Sequence, residues 1–354
     1  MKRKTWLVWA ASILAVAAAV TAIALVKNYR GEEKNSRKYK VKRSELSEVQ
    51  KRMHFSIHRY EKALFELNRD SLATGIERLS HIYPSQLIAE NVWQNPQMLA
   101  RLRAYLDDGV ITEIYQATVQ KYPDLNFLHD ELTEAFGYYL HYFPEAWLPA
   151  VFTMVPGLDF EMPSVFGFDS SLFIQLDHYL GADFKMYAQS GMPKYVMARC
   201  DRKYMAIDCF EKSLVYSYLP EETRVSLLEN MLHEGKKLYF TELMFPSRLP
   251  ADIIGYSEAQ WAWAEANQSE VWRYIIEKDL LFSKDDKVAR NFCEDAPFTK
   301  PFNSDAPGRM GAFIGWQIIR KYMENHPEIG LAEMMRSVQY QEMLTKSKYK
   351  PALR

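Results

Sequence analysis

Apolar residues recur at helical spacing along most of this chain, which predicts α-helices that each bury one face. The predicted helices are Met98–Leu106, Ile111–Tyr122, Leu125–Tyr142, Tyr204–Leu219, Glu221–Phe240, Glu258–Asn267, Ser269–Leu281, Arg309–Asn325 and Leu331–Leu344. Short runs of β-forming residues beside Pro or Gly, at His54–Tyr60, Trp147–Met154 and Ser164–Asp169, predict minor sheet content. We therefore predict a helix-dominated α+β fold, with a single globular domain over residues 53–354 and a small β-hairpin insertion.

The N-terminal region has a different pattern. Residues 1–5 are basic, and Trp6–Val26 is a run of 21 residues without a charge, long enough to cross a bilayer as a helix. This predicts a transmembrane signal anchor over residues 6–26, followed by a charged tether over residues 27–52. A cleaved signal peptide is the alternative, because Ala22-Ile23-Ala24 has the small residues of a cleavage site.

Charge counting leaves the orientation of this anchor open. Eight Lys and Arg residues lie in Lys27–Arg43 and three precede the helix, so the positive-inside rule places the body in the cytoplasm. The basic start of the chain, however, is typical of an exported protein.

Composition excludes several classes of protein. Hydrophobic residues make up 48% of the 354 residues, so the chain can bury a sizeable core. The formal net charge of -1 argues against nucleic-acid binding. Cys200, Cys209 and Cys293 show no C-x-x-C spacing, so we expect buried free thiols rather than a disulfide framework or a zinc site.

Several sequence blocks occur together in an order that is specific to one family. They are His141–Pro144, Leu176–Gly181, Met192–Tyr195, Glu234–Lys236, Leu238–Phe240, Ile254–Tyr256, Ala296–Phe298, Pro307–Gly311, Gly315–Gln317 and Ser347–Pro351, with Trp261, Asn267 and Trp272. From about His54 to the C-terminus, the chain resembles the gliding-motility lipoprotein GldB family of Bacteroidetes.

This resemblance implies a cell-envelope protein whose body faces the periplasm and whose partners are other envelope, gliding or secretion proteins. Family members typically carry a Cys just after the signal, whereas the first cysteine here is Cys200. We therefore expect no lipid anchor, and a single-pass inner-membrane protein held by Trp6–Val26. The family is also distantly similar to predicted zinc peptidases, which implies a degenerate zincin-like framework.

The zinc-binding pattern of such a peptidase is incomplete here. A zincin helix presents two histidines at i and i+4 with a glutamate beside the first, but His233-Glu234 is followed by Lys237 at the second histidine position. A protonated lysine offers no lone pair to a metal. Helical spacing puts His233, Glu234 and Lys237 opposite the apolar stripe, so we expect a solvated helix face there.

The resemblance to zinc peptidases implies a second alignment, in which Glu234 corresponds to the carboxylate ligand that a later helix of those enzymes supplies. The first helix would then place Ile207, Asp208 and Glu211 where the two histidines and the base stand. Three carboxylates without histidine would favour a hard cation over zinc. The simpler interpretation is an ordinary surface ion pair between Asp208 and Lys212 at i and i+4.

Other candidates have structural explanations. Arg309 and the glycines around it could bind an anion at a helix N-terminus, but Gly311 and Gly315 more simply allow close helix packing. His178 and His141 have no partner visible in the sequence and are expected to be structural. The tryptophans at helical spacing, namely Trp261, Trp263, Trp272 and Trp316, are expected to belong to the core.

We therefore predict a binding protein, a pseudoenzyme without cofactor or metal. The candidate cleft residues are Asp208, Glu211, His233, Glu234, Lys237, His178 and Arg309. The alternative is a metal-dependent hydrolase that uses Asp208, Glu211 and Glu234 with His178 or His233. A structural scaffold without a ligand pocket is a third possibility.

Overall fold

The computed structural model describes residue 41 and residues 43–351, and it divides the chain into two units, before and after the boundary between Leu46 and Ser47. The predicted membrane segment at residues 6–26 and most of the predicted tether lie outside the described residues. Among the described residues, no helix has the length and apolar character needed to cross a membrane.

The helices before and between the first strands are α1 (Arg43–Arg52), α2 (Tyr60–Phe65), α3 (Leu72–Ser80), α4 (Pro96–Asp107), α5 (Gly109–Lys121) and α6 (Asn126–Tyr142). Those that follow the last strand are α7 (Lys185–Gln189), α8 (Lys194–Met197), α9 (Met205–Glu211), α10 (Leu227–Met244), α11 (Pro250–Ile254), α12 (Glu258–Glu277), α13 (Asp286–Cys293), α14 (Met310–Asn325), α15 (Leu331–Arg336) and α16 (Tyr340–Ser347). The predicted helix-dominated fold is confirmed. The last ten residues of the expected tether form α1.

The sheet is larger than the predicted hairpin insertion. Its strands are β1 (Ile57–Arg59), β2 (Ala150–Met154), β3 (Val165–Phe168) and β4 (Ser171–Gln175), in the order β1-β2-β4-β3. β1, β2 and β4 run parallel, and β3 pairs with β4 as an antiparallel hairpin. The pattern of β4 was not predicted because its residues from Leu172 to Gln175 are all buried and show no alternation.

Helix boundaries follow local capping. The helix expected from Glu221 begins at Leu227, because the Ser226 side chain accepts a hydrogen bond from the Glu229 backbone N–H. The helix expected over Tyr204–Leu219 ends at Glu211, where Ser213 leaves the helical backbone region (φ −135°, ψ −73°). The two helices expected over Glu258–Leu281 form one helix, α12, that starts with a capping box at Ser257.

Helices α10 and α14 meet backbone to backbone at two glycines. A Cβ added to Gly235 would lie 2.3 Å from the Gly315 carbonyl carbon, and one added to Gly315 would lie 1.8 Å from the Met231 carbonyl oxygen. The predicted packing role of Gly315 is confirmed. This contact holds α10 in the interior, where it also packs against α6, α9 and α13.

The expected burial is confirmed for the three cysteines and for Trp316, but not for the other three tryptophans. All three cysteines are buried and unpaired by disulfides. Trp316 is fully buried, while Trp261, Trp263 and Trp272 are partly buried.

Candidate functional site

Three carboxylates approach one another from two buried helices. Every residue of α9 is buried, so its Asp208 and Glu211 lie inside the protein, with exposed fractions of 1% and 3%. Glu234 projects from α10, and 20% of its side chain is exposed to solvent. An uncompensated carboxylate in such surroundings would be costly, so the positions of nearby cations decide what this site can do.

Arg199 links the two carboxylates of α9. Its Nη2 donates to Asp208 Oδ1 at 2.8 Å and to Glu211 Oε2 at 3.3 Å. The guanidinium also lies over the ring of Tyr204, with 4.5 Å between Cζ and the ring centroid. On the other side of Asp208, the Tyr179 hydroxyl donates to Oδ2 at 2.8 Å.

Arg309 links Glu211 to Glu234. Its Nη2 donates to Glu211 Oε1 at 2.8 Å and lies 3.6 Å from Glu234 Oε2. Arg309 is the residue before α14 and has a left-handed backbone (φ 61°). The loop before it is held by the Tyr256 hydroxyl, which donates to the Gly308 carbonyl. The point on which Glu211 and Glu234 converge is therefore filled by a guanidinium nitrogen.

A lysine stands at each end of this arrangement. Lys212 Nζ donates to Asp208 Oδ2 at 2.8 Å, and Lys237 Nζ donates to both Glu234 oxygens at 3.2 and 3.0 Å. Cations and carboxylates thus alternate along one chain of contacts, which we call the charge ladder. Its members in order are Lys212, Asp208, Arg199, Glu211, Arg309, Glu234 and Lys237.

Two buried members of the charge ladder, Glu211 and Arg309, stabilise each other's charges. Burial alone would raise the pKa of the Glu211 carboxyl, but the charges of Arg309, Arg199 and Lys237 outweigh it and lower that pKa to about 2. Burial alone would lower the pKa of Arg309, but Glu211 and its neighbouring acids raise it well above its ordinary value. Near neutral pH Glu211 and Arg309 therefore keep their charges, and neither is a ready proton donor or acceptor.

The expected solvated face of α10 is wrong. His233 is only 4% exposed, and the side chains of Glu234 and Lys237 are 20% and 12% exposed. The predicted ion pair between Asp208 and Lys212 is present, but Asp208 is buried, so this is no ordinary surface pair. The amphipathic pattern predicted exposure wrongly because that interpretation takes a helix to bury one face. Other helices cover α10 on several sides.

The charge ladder borders a cavity of about 610 Å³, which we call the ionic cavity. Helices α10 and α13 form two of its walls, and the loop leading to Arg309 forms another. Its charged lining residues are Arg199, Glu211, Lys212, Arg224, Glu234, Lys237, Asp286, Arg290, Glu294, Asp295 and Arg309. The cavity can hold a small polar ligand or part of a larger one.

The two candidate histidines do not join the carboxylates. His178 is paired through Nε2 with the Asp159 carbonyl oxygen at 3.1 Å, and His233 is paired through Nδ1 with Arg224 at 3.3 Å. Burial lowers the pKa of each imidazole to about 4, so both are neutral near pH 7. The structure therefore brings together Asp208, Glu211, Glu234, Lys237 and Arg309 but not the histidines, and His141 lies exposed on the surface.

A metal ion would have to bind to the ladder carboxylates. In the part of the chain that the structure describes, no group of three or more His, Cys, Asp or Glu side chains is arranged to hold a metal ion. Each of the three carboxylates is instead paired with a cation of the protein itself. This donor set fits a closed network of ion pairs better than a metal site.

Arg199 is the one ladder residue that the sequence pattern did not indicate. It lies in the loop after α8, and its separation from Asp208 matches no spacing within one helix. Only its pairing with Asp208 and Glu211 identifies it. Its Nη1 is buried and has no hydrogen-bond partner among the described residues.

A second depression of about 770 Å³ lies beside β3, and we call it the aromatic groove. Trp147, Phe168 and Tyr216 line it and are each more than half exposed. Lys212 lines both the ionic cavity and the aromatic groove. The two depressions are therefore neighbours that share a ladder residue.

The model of a protein family described as gliding motility protein GldB matches residues 40–351 of this chain. No curated protein and no solved structure matches.

Proposed function

Because this chain belongs to the family of the gliding motility protein GldB, we propose that it serves the gliding machinery of the cell envelope by binding or assembly rather than by catalysis. Residues 40–351 match the family, so the proposal concerns the whole described part of the chain. The partners we expect are other envelope proteins of the gliding or secretion machinery.

One observation carries the choice of binding over catalysis. Arg309 Nη2 lies within 4 Å of both Glu211 and Glu234, at the point where a cation bound by those two carboxylates would sit. Metal-assisted hydrolysis needs an open coordination position for water, and a guanidinium offers none. The carboxylates are thus committed to holding the framework together.

We further propose that α9 and α10 are a degenerate form of a zincin framework. In support of this, Asp208 and Glu211 on one helix and Glu234 on the next approach one another although no histidine joins them. In this proposal, arginine and lysine charges replace the ion, and the pseudoenzyme keeps a cavity without the reaction.

Zinc content and activity test this proposal. We expect protein purified without chelator to carry well under one equivalent of zinc and to show no chelator-sensitive peptidase activity, because no imidazole reaches the carboxylates. Elemental analysis and peptidase assays with and without chelator give the readouts. The control is Glu234→Ala, which should leave the zinc content at the same low level.

The hydrolase alternative makes the opposite prediction. Near-stoichiometric zinc that is lost in Glu234→Ala, together with activity that a chelator abolishes, would replace our proposal with a carboxylate-rich hydrolase.

A further inference from the structure

The boundary between the ionic cavity and the aromatic groove combines charge with apolar surface. Lys212 lines both depressions. Lys237 reaches the same boundary, because its Nζ lies 5.4 Å from the ring centroid of Tyr216, which lines the groove. Two ladder lysines therefore stand where a ligand could contact both depressions at once.

Lys212 is the accessible charge at this boundary. The charge ladder has four cations and three carboxylates, and Asp295, 3.7 Å from Arg309 Nε, adds a fourth carboxylate, so these ion pairs balance. Lys212 is the most accessible member, with 38% of its side chain exposed. Its ammonium has three N–H groups, of which two donate to Asp208 Oδ2 at 2.8 Å and to Ser164 Oγ at 3.0 Å. An anionic group beside Lys212 would accept a hydrogen bond from its remaining N–H group.

The groove next to Lys212 offers apolar surface and a strand edge. Trp147, Phe168 and Tyr216 are 53%, 52% and 52% exposed, which is unusual for large aromatic side chains in one depression. β3 lines the groove and lies at an edge of the sheet, so one side of its backbone has no strand partner among the described residues. An extended polypeptide can pair with such an edge, whereas an acyl chain cannot.

We propose that this boundary binds the free C-terminus of a polypeptide whose last residue is apolar. The terminal carboxylate pairs with Lys212 and Lys237, and the last side chain lies among Trp147, Phe168 and Tyr216. This inference rests on the proposed binding function and names the chemistry of its ligand. A charged hydrogen bond in a partly desolvated site gives such a carboxylate its preference over a neutral group.

The rim of the ionic cavity limits what can enter. Asp286, Glu294 and Asp295 are exposed carboxylates on its outer side, while Arg290 is an exposed cation. The other charged residues of the aromatic groove, Glu145, Asp169 and Arg336, are exposed to water, where their fields are screened. A ligand with one anionic group thus fits better than a polyanion, which the rim carboxylates would repel.

The test uses N-acetyl-L-phenylalanine and its amide, two probes with the same apolar body that differ in the terminal charge. Full-length protein in detergent micelles is titrated calorimetrically with each probe, and titrations into empty micelles are subtracted. The variant Lys212→Gln removes the proposed carboxylate partner. Lys321→Gln is the matched control, because Lys321 is a similarly exposed lysine on α14 that pairs with Glu324. Circular dichroism verifies that both variants are folded.

We expect the acid to bind at least about tenfold more tightly than the amide, as a charged hydrogen bond implies. Lys212→Gln should weaken binding of the acid about tenfold and leave binding of the amide nearly unchanged, while Lys321→Gln should change neither. Trp147→Ala should weaken both probes, because it removes apolar surface that they share.

Several results would overturn the inference. These are equal affinity for acid and amide, unchanged acid binding in Lys212→Gln, or no saturable binding of either probe at millimolar concentration. Tighter binding of inorganic phosphate or of decanoate than of N-acetyl-L-phenylalanine would also overturn it, by assigning the site to a bare anion or to an acyl chain. The proposed function fails separately, through stoichiometric zinc and chelator-sensitive activity measured without any probe.

Discussion

Arg309 is a buried cation that compensates the charges of several carboxylates at the site. It is 8% exposed and faces Glu211 and Glu234, with Asp295 3.7 Å from its Nε. Because Glu211 is itself buried, removal of this guanidinium leaves a carboxylate that water cannot solvate.

We predict that Arg309→Met lowers the free energy of unfolding by about 3–5 kcal/mol. Adding Glu211→Gln to that variant should recover part of the loss, since it removes a buried carboxylate that keeps Arg199 but has lost its closer cation partner. The control Arg273→Met removes an arginine that is 52% exposed and should change stability by less than about 0.5 kcal/mol. Denaturant titration measures all three variants, and equal losses in the two single variants would contradict the prediction.

His178 gives the folded protein a sensitivity to acid. Burial, with a smaller contribution from the charge of Lys212, lowers the pKa of this imidazole from its ordinary 6.5 to about 4. Between these values the unfolded chain binds a proton that the folded protein does not bind. Stability contributed by the neutral imidazole is therefore present above pH 6.5 and lost as pH falls toward 4.

As pH falls from 6.5 to 4, His178 lowers the free energy of unfolding by up to about 3 kcal/mol, and we predict that His178→Gln removes this decrease. Unfolding free energies of both proteins are measured across this range, and the difference between the two curves isolates His178. Burial raises the pKa of Asp177 to about 6, so this residue changes the unfolding free energy in the opposite direction over part of the same pH range. Because both proteins contain Asp177, its effect cancels in the difference between the two curves. Parallel curves would show that His178 does not titrate in this way.

At the scale of elements, the close contact of α10 with α14 is the tightest constraint on the fold. Gly235 and Gly315 allow two backbones to touch, and no side chain can move aside to make room for a methyl group there. Glycine has a low helix propensity, so these two residues destabilise their helices. The close contact that they allow fixes the position of α10, which carries Glu234, relative to α14, which follows Arg309.

We predict that Gly315→Ala destabilises the protein by about 1–3 kcal/mol although Ala is the better helix former. Gly109→Ala is the matched control, since Gly109 starts α5 and a Cβ there would meet nothing within 4 Å. That control should be neutral or slightly stabilising. Thermal or denaturant unfolding gives the sign, and an unchanged midpoint in Gly315→Ala would rule out the packing role.

The sequence pattern predicted long helices well and buried strands poorly. The expected helices Met98–Leu106 and Ile111–Tyr122 match α4 and α5 to within two residues at each end, because each alternates apolar and polar faces. β4 is covered on both sides, so its composition resembles any buried segment.

The candidate site was predicted in part. The resemblance to zinc peptidases indicated Asp208, Glu211 and Glu234, and these do approach one another. Arg199 could not be predicted because it comes from a loop whose path depends on tertiary packing. The exposure of Glu234 and Lys237 was predicted wrongly because helical spacing identifies a polar face but not what covers it.

At the scale of the whole molecule, the family match and the N-terminal sequence together bear on location. Residues 40–351 match the gliding motility family, while the apolar run at residues 6–26 lies outside the described residues. We propose that this run anchors the protein in the inner membrane with its body in the periplasm.

We predict that protease added to intact spheroplasts digests the body of the protein. The reason is that a single anchor with an exported body leaves every described residue outside the cytoplasm. Immunoblotting against the body before and after lysis measures this, with a cytoplasmic protein as the control for leakage. A body that survives until lysis would place it in the cytoplasm, as charge counting alone suggests.

The three buried cysteines can report local unfolding of this protein, because each thiol reacts with an alkylating reagent only when it becomes exposed. Cys200 follows Arg199 in the chain, Cys209 follows Asp208 on α9, and Cys293 lines the ionic cavity from α13, so the three thiols lie on three different segments around the charge ladder. Burial raises the pKa of all three thiols, and for Cys200 to about 11. Alkylation in native buffer therefore requires local unfolding, and its three rates give an opening free energy for each segment. The thiol that reacts first identifies the segment next to the charge ladder that opens most readily.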